Sequence, residues 1–276
     1  MYDVFQTQRL IDLWLQEDIG AGDLTAQLML DADTNGTFYM RARETIVIAG
    51  IHVAKQVFQR YDSSLNVDIT VKDGQTVHAG DQLLTVTGNS RSIVTAERTA
   101  LNILQRLCAV ATETRHYCDA IAGTKARLID TRKTTPGLRM LEKHAVTCGG
   151  GLNHRLGLDN GVMIKDNHIA ICGSLTKAVL RAKKGLPVLT KLEVECDHLD
   201  QVREALSAGV DVIMLDNMSL SDMRTAVQWI DGQTKVEASG GITLETIRDI
   251  AMTGVDYIST SKITQAARPV DIGLDE

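Results

Sequence analysis

Proline is scarce: three in 276 residues, which excludes Pro-rich linkers and long disordered spacers. Basic charge is not in surplus either. Lys and Arg number 29 against 35 Asp and Glu, for a formal net charge of −6 and a pI of about 5.7. A broad nucleic-acid footprint needs a basic surface, so no nucleic-acid partner is expected. A local basic pocket survives that argument, because net charge says nothing about clustering. The cysteines Cys108, Cys118, Cys148, Cys172 and Cys196 are odd in number and include no CxxC pair. That pattern argues against a disulfide framework and against a structural zinc site; we read them as reduced, mostly packed thiols of a cytoplasmic protein. No run approaches ~18 consecutive apolar residues, so no membrane span is expected. The stretch "MYDVFQTQRLIDLWLQEDIG" has neither the basic start nor the unbroken apolar run of a signal peptide.

What remains is an ordinary globular balance, 44% hydrophobic and 23% charged, with enough apolar material for a real core. Residues 3–19 read as an amphipathic helix with Leu10, Leu13 and Trp14 on one side. Residues 37–50 and 65–72 alternate as strands do. In "VKDGQTVHAGDQLLTVTG", residues 71–88, turn signals separate short apolar runs. The stretch is similar to the hairpin of biotinyl and lipoyl carrier domains, but its turn lacks the lysine those domains modify, so it reads as scaffold. Thr95 is placed to cap a long helix with Glu97 in its first turn, and Gly123 to end it.

From there short apolar strands alternate with amphipathic helices. Strands are predicted at 126–130, 161–165, 191–195, 211–216, 235–239 and 255–259. Such alternation implies parallel pairing through crossovers. Without a dinucleotide fingerprint, a closed or nearly closed β/α barrel fits better than an open doubly wound sheet. The region is ~160 residues, short of a full eight-unit barrel, so six or seven strands are expected. The expected fold class is therefore α/β: a mixed α/β sandwich over residues 1–105, a parallel barrel over 106–262, and a tail, 263–276, that packs back on the first domain.

Active sites of β/α barrels lie at the C-terminal ends of the strands, and every strand here delivers polar groups there. In order they are Thr131, Arg132 and Lys133; Lys165; Glu195; Asp216; Ser239, Gly240 and Gly241; and Ser259, Thr260 and Ser261. "SGG" before a helix expected at Thr243 offers backbone N–H groups and a helix N-terminus, a seat for phosphate; a tight turn that merely needs glycine is the alternative. Glu195 and Asp216 fit a general acid/base pair, a magnesium–phosphate seat or electrostatic support of a developing cation. The cations Arg132, Lys133, Arg155 and Lys165, with His154, would repel one another at one mouth unless the ligand carries several negative charges. Arginine adds bidentate recognition of carboxylates. Cys148 beside "GGG" has no base placed for it and reads as a packing residue.

The motifs "TAERTALNILQRLCAVAT", "DTRKTTPGLRMLEKHAV", "GGGLNHRLGLDNGVMIKDNH", "LEVEC", "MLDN", "EASGGI" and "GVDYIS" occur in that order. Together they resemble the quinolinate phosphoribosyltransferase family (nicotinate-nucleotide pyrophosphorylase, carboxylating), from "EDIGAGDLT" to "DIGLD". The resemblance implies an N-terminal α/β sandwich with a seven-stranded barrel, assembled at least as a homodimer. It implies synthesis of nicotinate mononucleotide, carbon dioxide and pyrophosphate from quinolinate and phosphoribosyl pyrophosphate, with Mg²⁺, on the route to NAD. Arg98 would enter the neighbouring subunit's site. Arg132, His154, Arg155 and Lys165 would surround quinolinate. Lys133, Glu195 and Asp216 would hold the sugar pyrophosphate and its metal, and Thr131 would line the same mouth. Ser239, Gly240 and Gly241 would seat the 5-phosphate, helped by Thr260, Ser261 and Lys262. Catalysis would fall to Glu195, Asp216, Lys165 and Lys133. Where the family usually has a glycine and a histidine after the last strand, this chain has Ser261 and Gln265. Three other readings are a related phosphoribosyltransferase using another acceptor such as nicotinate, a molybdate-associated relative, and a non-catalytic carrier or binding module.

Overall fold

The computed structural model describes residues 3–276. The first helix, α1, spans Val4–Ile19, and the Asp3 carboxylate caps it by accepting from the Phe5 and Gln6 N–H groups at 2.8 and 3.1 Å. Its buried residues are Thr7, Ile11 and Leu15, four apart, whereas Leu13 is 59% exposed. The inward face is therefore rotated from the Leu10–Leu13–Trp14 stripe. Then come α2 (Leu24–Met29), β1 (Asn35–Ala42), β2 (Ile46–Val47), α3 (Ile51–Tyr61), β3 (Asn66–Ile69), β4 (Thr76–Val77), β5 (Gln82–Asn89) and α4 (Ser90–Ala120). Asn89 caps α4 by accepting from the Ser92 N–H at 3.1 Å. Thr95 is not the cap: it lies inside the helix, its hydroxyl donating to the Arg91 carbonyl at 2.7 Å and to Asp23 at 3.1 Å. The helix stops at Ala120, ahead of Gly123, which sits at φ +79° in the turn that follows.

The rest of the chain forms β6 (Arg127–Ile129), α5 (Arg139–Gly149), β7 (Val162–Ile164), α6 (Asp166–Cys172), α7 (Leu175–Gly185), β8 (Leu192–Cys196), α8 (Leu199–Ser207), β9 (Val212–Asp216), α9 (Leu220–Ile230), β10 (Lys235–Ser239), α10 (Ile247–Ala251), β11 (Tyr257–Ser259), α11 (Lys262–Gln265) and β12 (Ile272–Asp275). The chain divides into two compact units: Met1–Arg115 with Thr135–Gly150 and Ala266–Glu276, and His116–Thr134 with Gly151–Gln265. The boundary expected at residue 105 falls in the middle of α4, a helix whose continuous apolar spacing carries it past that point. Helix α5, expected as a barrel crossover, belongs to the first unit.

In the first unit four strands pair in the order β12-β1-β5-β3, all antiparallel, with β1 and β5 matched from Asn35↔Asn89 to Arg41↔Gln82. Helix α3 packs on β3, and α1 on α3. The carrier-type hairpin does not form: β4 pairs with β2, and β5 with β1 and β3. Turn residues fix where a strand ends, but its partner is chosen by distant segments.

The second unit holds six parallel strands in the order β6-β11-β10-β9-β8-β7. A further parallel bridge, Ile129↔Leu152, extends the β6 edge by a single pair. Side chains alternate between faces along a strand, and here the two faces differ in chemistry. Leu192, Val194 and Cys196 of β8, Ile213 and Leu215 of β9, and Val236 and Ala238 of β10 are almost wholly buried. The opposite parity carries Glu193 and Glu195, Met214 and Asp216, and Glu237 and Ser239. His154, two residues after the Leu152 bridge at the β6 edge, bonds Glu193 of β8 at 2.8 Å and approaches Glu237 of β10 at 3.6 Å. Side chains from both ends of the strand order thus meet on one face, which requires the sheet to curl into a barrel with the polar parity inside.

Candidate active site

The polar parity opens into a cavity of about 720 Å³ whose lining comes entirely from the second unit. Of the residues singled out in the sequence, Thr131, Arg132, Lys133, His154, Arg155, Lys165, Glu195, Asp216, Ser239, Gly240, Gly241, Thr260, Ser261 and Lys262 all line it. Arg98 does not; it is an exposed residue of α4 in the first unit. Gln265 is exposed and outside the lining, whereas Ser261 is within it. Positive φ at non-glycine residues occurs only at Asn217 and Asp231 among the described residues. Ser261 therefore stands where the family usually has glycine without backbone strain.

The segment after β6 is fixed from below. Asp130, fully buried, accepts from the His154 N–H at 2.8 Å and from the Asn153 amide at 2.7 Å. The Lys133 N–H donates to the Thr131 hydroxyl at 3.0 Å, and the Lys133 carbonyl accepts from Thr264 at 2.8 Å. These bonds hold "TRK" as a loop with its side chains directed to the cavity.

Five cations, Arg132, Lys133, Arg155, Lys165 and Lys262, line the cavity. Burial, followed by the like charge of Arg132, holds Arg155 below the usual arginine range. A bound anion at this mouth would offset that repulsion. Arg155 is tethered by donating to the Gly161 carbonyl at 3.2 Å. Lys165 is paired with Glu195. The oxygen atoms of Glu195, Asp197 and Asp216 lie within 4.8 Å of one another, a hard, all-carboxylate set suited to Mg²⁺. Asp216 in turn accepts from the Asn217 amide at 2.7 Å.

The phosphate seat differs from expectation. The helix after "SGG" begins only at Ile247 and has five residues, so no helix terminus stands at Thr243. Instead Gly240 and Gly241 both adopt positive φ, +94° and +60°, and both line the cavity with no side chain to cover their backbone. Asn217 donates its N–H to the Ser239 carbonyl at 3.0 Å. A Cβ on Gly240 would lie 2.8 Å from the Asn217 nitrogen. Gly240→Ala is therefore expected to lose roughly 1–3 kcal/mol of stability through backbone strain, read as a lower denaturant midpoint; an unshifted midpoint would show that the loop yields freely.

Sequence reasoning did not single out Glu193, Glu237, Asp130 or Asn217. Burial, followed by the neighbouring Glu193 charge, raises the Glu237 carboxyl well above the usual carboxylate range. A usable signal was present for both glutamates: an acid in the middle of an otherwise apolar parallel strand is costly without a purpose.

Two domain descriptions match the chain: the quinolinate phosphoribosyl transferase N-terminal domain over residues 23–108 and its C-terminal domain over 110–275. The probable nicotinate-nucleotide pyrophosphorylase [carboxylating] of Synechocystis is 47% identical, covering 91% of this chain and 88% of that protein. The Bacillus subtilis protein of the same description is 40% identical over 98% and 93%. The solved nicotinate-nucleotide pyrophosphorylase of Francisella tularensis superposes with a TM-score of 0.94 at 40% identity, covering 100% and 97% of the two chains. With both domains matched in order and a barrel mouth gathering the charged groups of its motifs, the chain belongs to the quinolinate phosphoribosyltransferase family, whose members are pentosyltransferases of NAD biosynthesis.

Proposed function

We propose that the cavity transfers the phosphoribosyl group of phosphoribosyl pyrophosphate to quinolinate, with the roles divided among its walls as follows. Quinolinate carries two adjacent carboxylates; Arg132, His154, Arg155 and Lys165 surround it, the guanidinium of Arg132 facing the dianion. Lys133, Glu195 and Asp216 hold the sugar pyrophosphate. Ser239, Gly240 and Gly241 seat the 5-phosphate, with Thr131, Thr260, Ser261 and Lys262 completing that wall. The observation that carries this reading is the convergence of five cations and a carboxylate cluster on one cavity.

Glu195 and Asp216 would hold Mg²⁺ beside the pyrophosphate, where the ion supplies charge neutralisation for the leaving oxygens. The side chains do the rest. Lys133 stabilises the departing pyrophosphate, and the carboxylates face the ribose carbon as positive charge develops there. Attack by the pyridine nitrogen forms the new C–N bond and gives an N-ribosyl pyridinium. That positive nitrogen stabilises the carbanion left at C2 when the 2-carboxylate departs as carbon dioxide, and a proton then takes the carboxylate's place at C2, so no lysine Schiff base is required. Alignment of two anionic substrates is the protein's main contribution.

The test is formation of nicotinate mononucleotide from quinolinate and phosphoribosyl pyrophosphate, with and without magnesium, beside a parallel assay with nicotinate as acceptor. Product from nicotinate but not from quinolinate would overturn the diacid reading. We further propose a cytoplasmic homodimer, open to higher assembly, in which Arg98 enters the neighbouring site. No helix among the described residues is long and apolar enough to cross a membrane. Mixed dimers of Arg98→Ala and Lys165→Ala chains are then expected to regain activity at those sites that receive one intact copy of each residue. Verified mixed dimers with no recovery would refute the sharing.

A further inference from the structure

Beneath the mouth lies a second layer that the proposed chemistry does not use. Glu193 and Glu237 are 6% and 1% exposed, and the Oε1 atom of each is buried with no hydrogen-bond partner among the described residues. Their other oxygens converge on one ring: His154 Nε2 is 2.8 Å from Glu193 Oε2 and 3.6 Å from Glu237 Oε2. The far side of the ring is engaged as well, since His154 Nδ1 accepts the Arg155 N–H at 2.7 Å. A nitrogen that accepts carries no hydrogen, so the ring hydrogen resides on Nε2 and is donated to Glu193. One buried carboxyl therefore fixes the imidazole's tautomer and its plane. Through Nδ1 the same ring fixes the backbone from which the Arg155 side chain departs.

We infer that Glu193, backed by Glu237, is a positioning residue that locks the His154 ring and, through it, the Arg155 backbone in the orientation needed to receive the acceptor diacid. The inference rests on the proposed assignment of His154 and Arg155 to quinolinate. The geometry favours positioning over direct contact. Glu193 is absent from the cavity lining, whereas His154 and Arg155 are both part of it. Lys165 stays with Glu195, the neighbour of the same parity on β8. Removing the Glu193 carboxyl therefore leaves the sugar-pyrophosphate side of the cavity with its own partners.

Two variants and one spectroscopic reading test this. Glu193→Leu keeps the volume and removes the acceptor. It should raise the quinolinate KM at least tenfold while the phosphoribosyl pyrophosphate KM stays within about twofold. Glu193→Gln keeps an acceptor oxygen and should restore most of the quinolinate KM. In a His154→Ala background, Glu193→Leu should add nothing further, because the ring it positions is gone. If Glu193→Leu fails to fold, the Glu193→Gln rescue and the ring reading decide. The ¹⁵N shifts of His154 should report a single Nε2–H tautomer in the unmodified protein and a tautomer mixture once the acceptor is lost or reoriented. An unchanged quinolinate KM in folded Glu193→Leu overturns the inference, as does an undiminished penalty without His154 or a mixed tautomer in the unmodified protein. The ring reading needs no turnover. A fixed tautomer in a protein that does not convert quinolinate would sink the proposed function and leave the positioning of His154 standing.

Discussion

Replacing Glu195 and Asp216 together by alanine should lower turnover a hundredfold or more at saturating concentrations of both substrates. The two side chains sit in the last two positions of adjacent parallel strands, and their oxygens lie within 4.8 Å of each other and of Asp197. Rigid strands thus present negative charge at one place, where a ribose carbon would become positive and where Mg²⁺ would sit. Losing one such preorganised group typically costs about 10²–10³ in turnover. The double variant also releases Lys165 from its ion pair with Glu195, leaving an uncompensated cation where positive charge has to develop. The effect should fall on kcat and on phosphoribosyl pyrophosphate binding, with quinolinate binding changed far less. Steady-state kinetics of the purified double variant would check it, and wild-type turnover would end the assignment.

Arg132→Ala should weaken quinolinate binding by about tenfold to a hundredfold. That range follows from the roughly 1.5–3 kcal/mol that a hydrogen bond to a charged group contributes. Stability should move little, because Arg132 lies at the cavity and its charge acts against Arg155. Taking it away relieves that repulsion. Calorimetric titration with quinolinate, paired with a thermal melt, separates the two effects. Near-normal binding would refute the role given to Arg132, and a large fall in melting temperature would recast it as a structural residue.

The barrel is legible because its strands read as short, mostly apolar runs, and each of the six predicted runs overlaps an observed strand. The mouth was legible for a related reason. A charged residue just past an apolar run, as with Asp216 after "VIML", can lie only at a strand end. The site's floor was harder to read. Glu193 and Glu237 sit inside their strands, where sequence gives no hint that a histidine from a distant loop will meet them. Pairing in the first unit was also hidden. The glycines and aspartates of residues 71–88 mark turns correctly, but β4 joins β2, 29 positions back from Thr76 to Val47, a choice made by tertiary packing. Thr95 looks like a cap in sequence, but the helix begins earlier, at Ser90, directly after the β5 strand and its Gly88-Asn89 end.

The C-terminal strand β12 completes the β1 edge through the pairs Tyr39↔Asp275 to Ala42↔Ile272. A segment far downstream therefore closes a sheet begun with the earliest strand. β1 keeps open backbone groups on one side until that distant segment pairs with it, a long-range closure that slows folding. Deleting Ile272–Asp275 would leave that strand edge bare, which is a template for self-association.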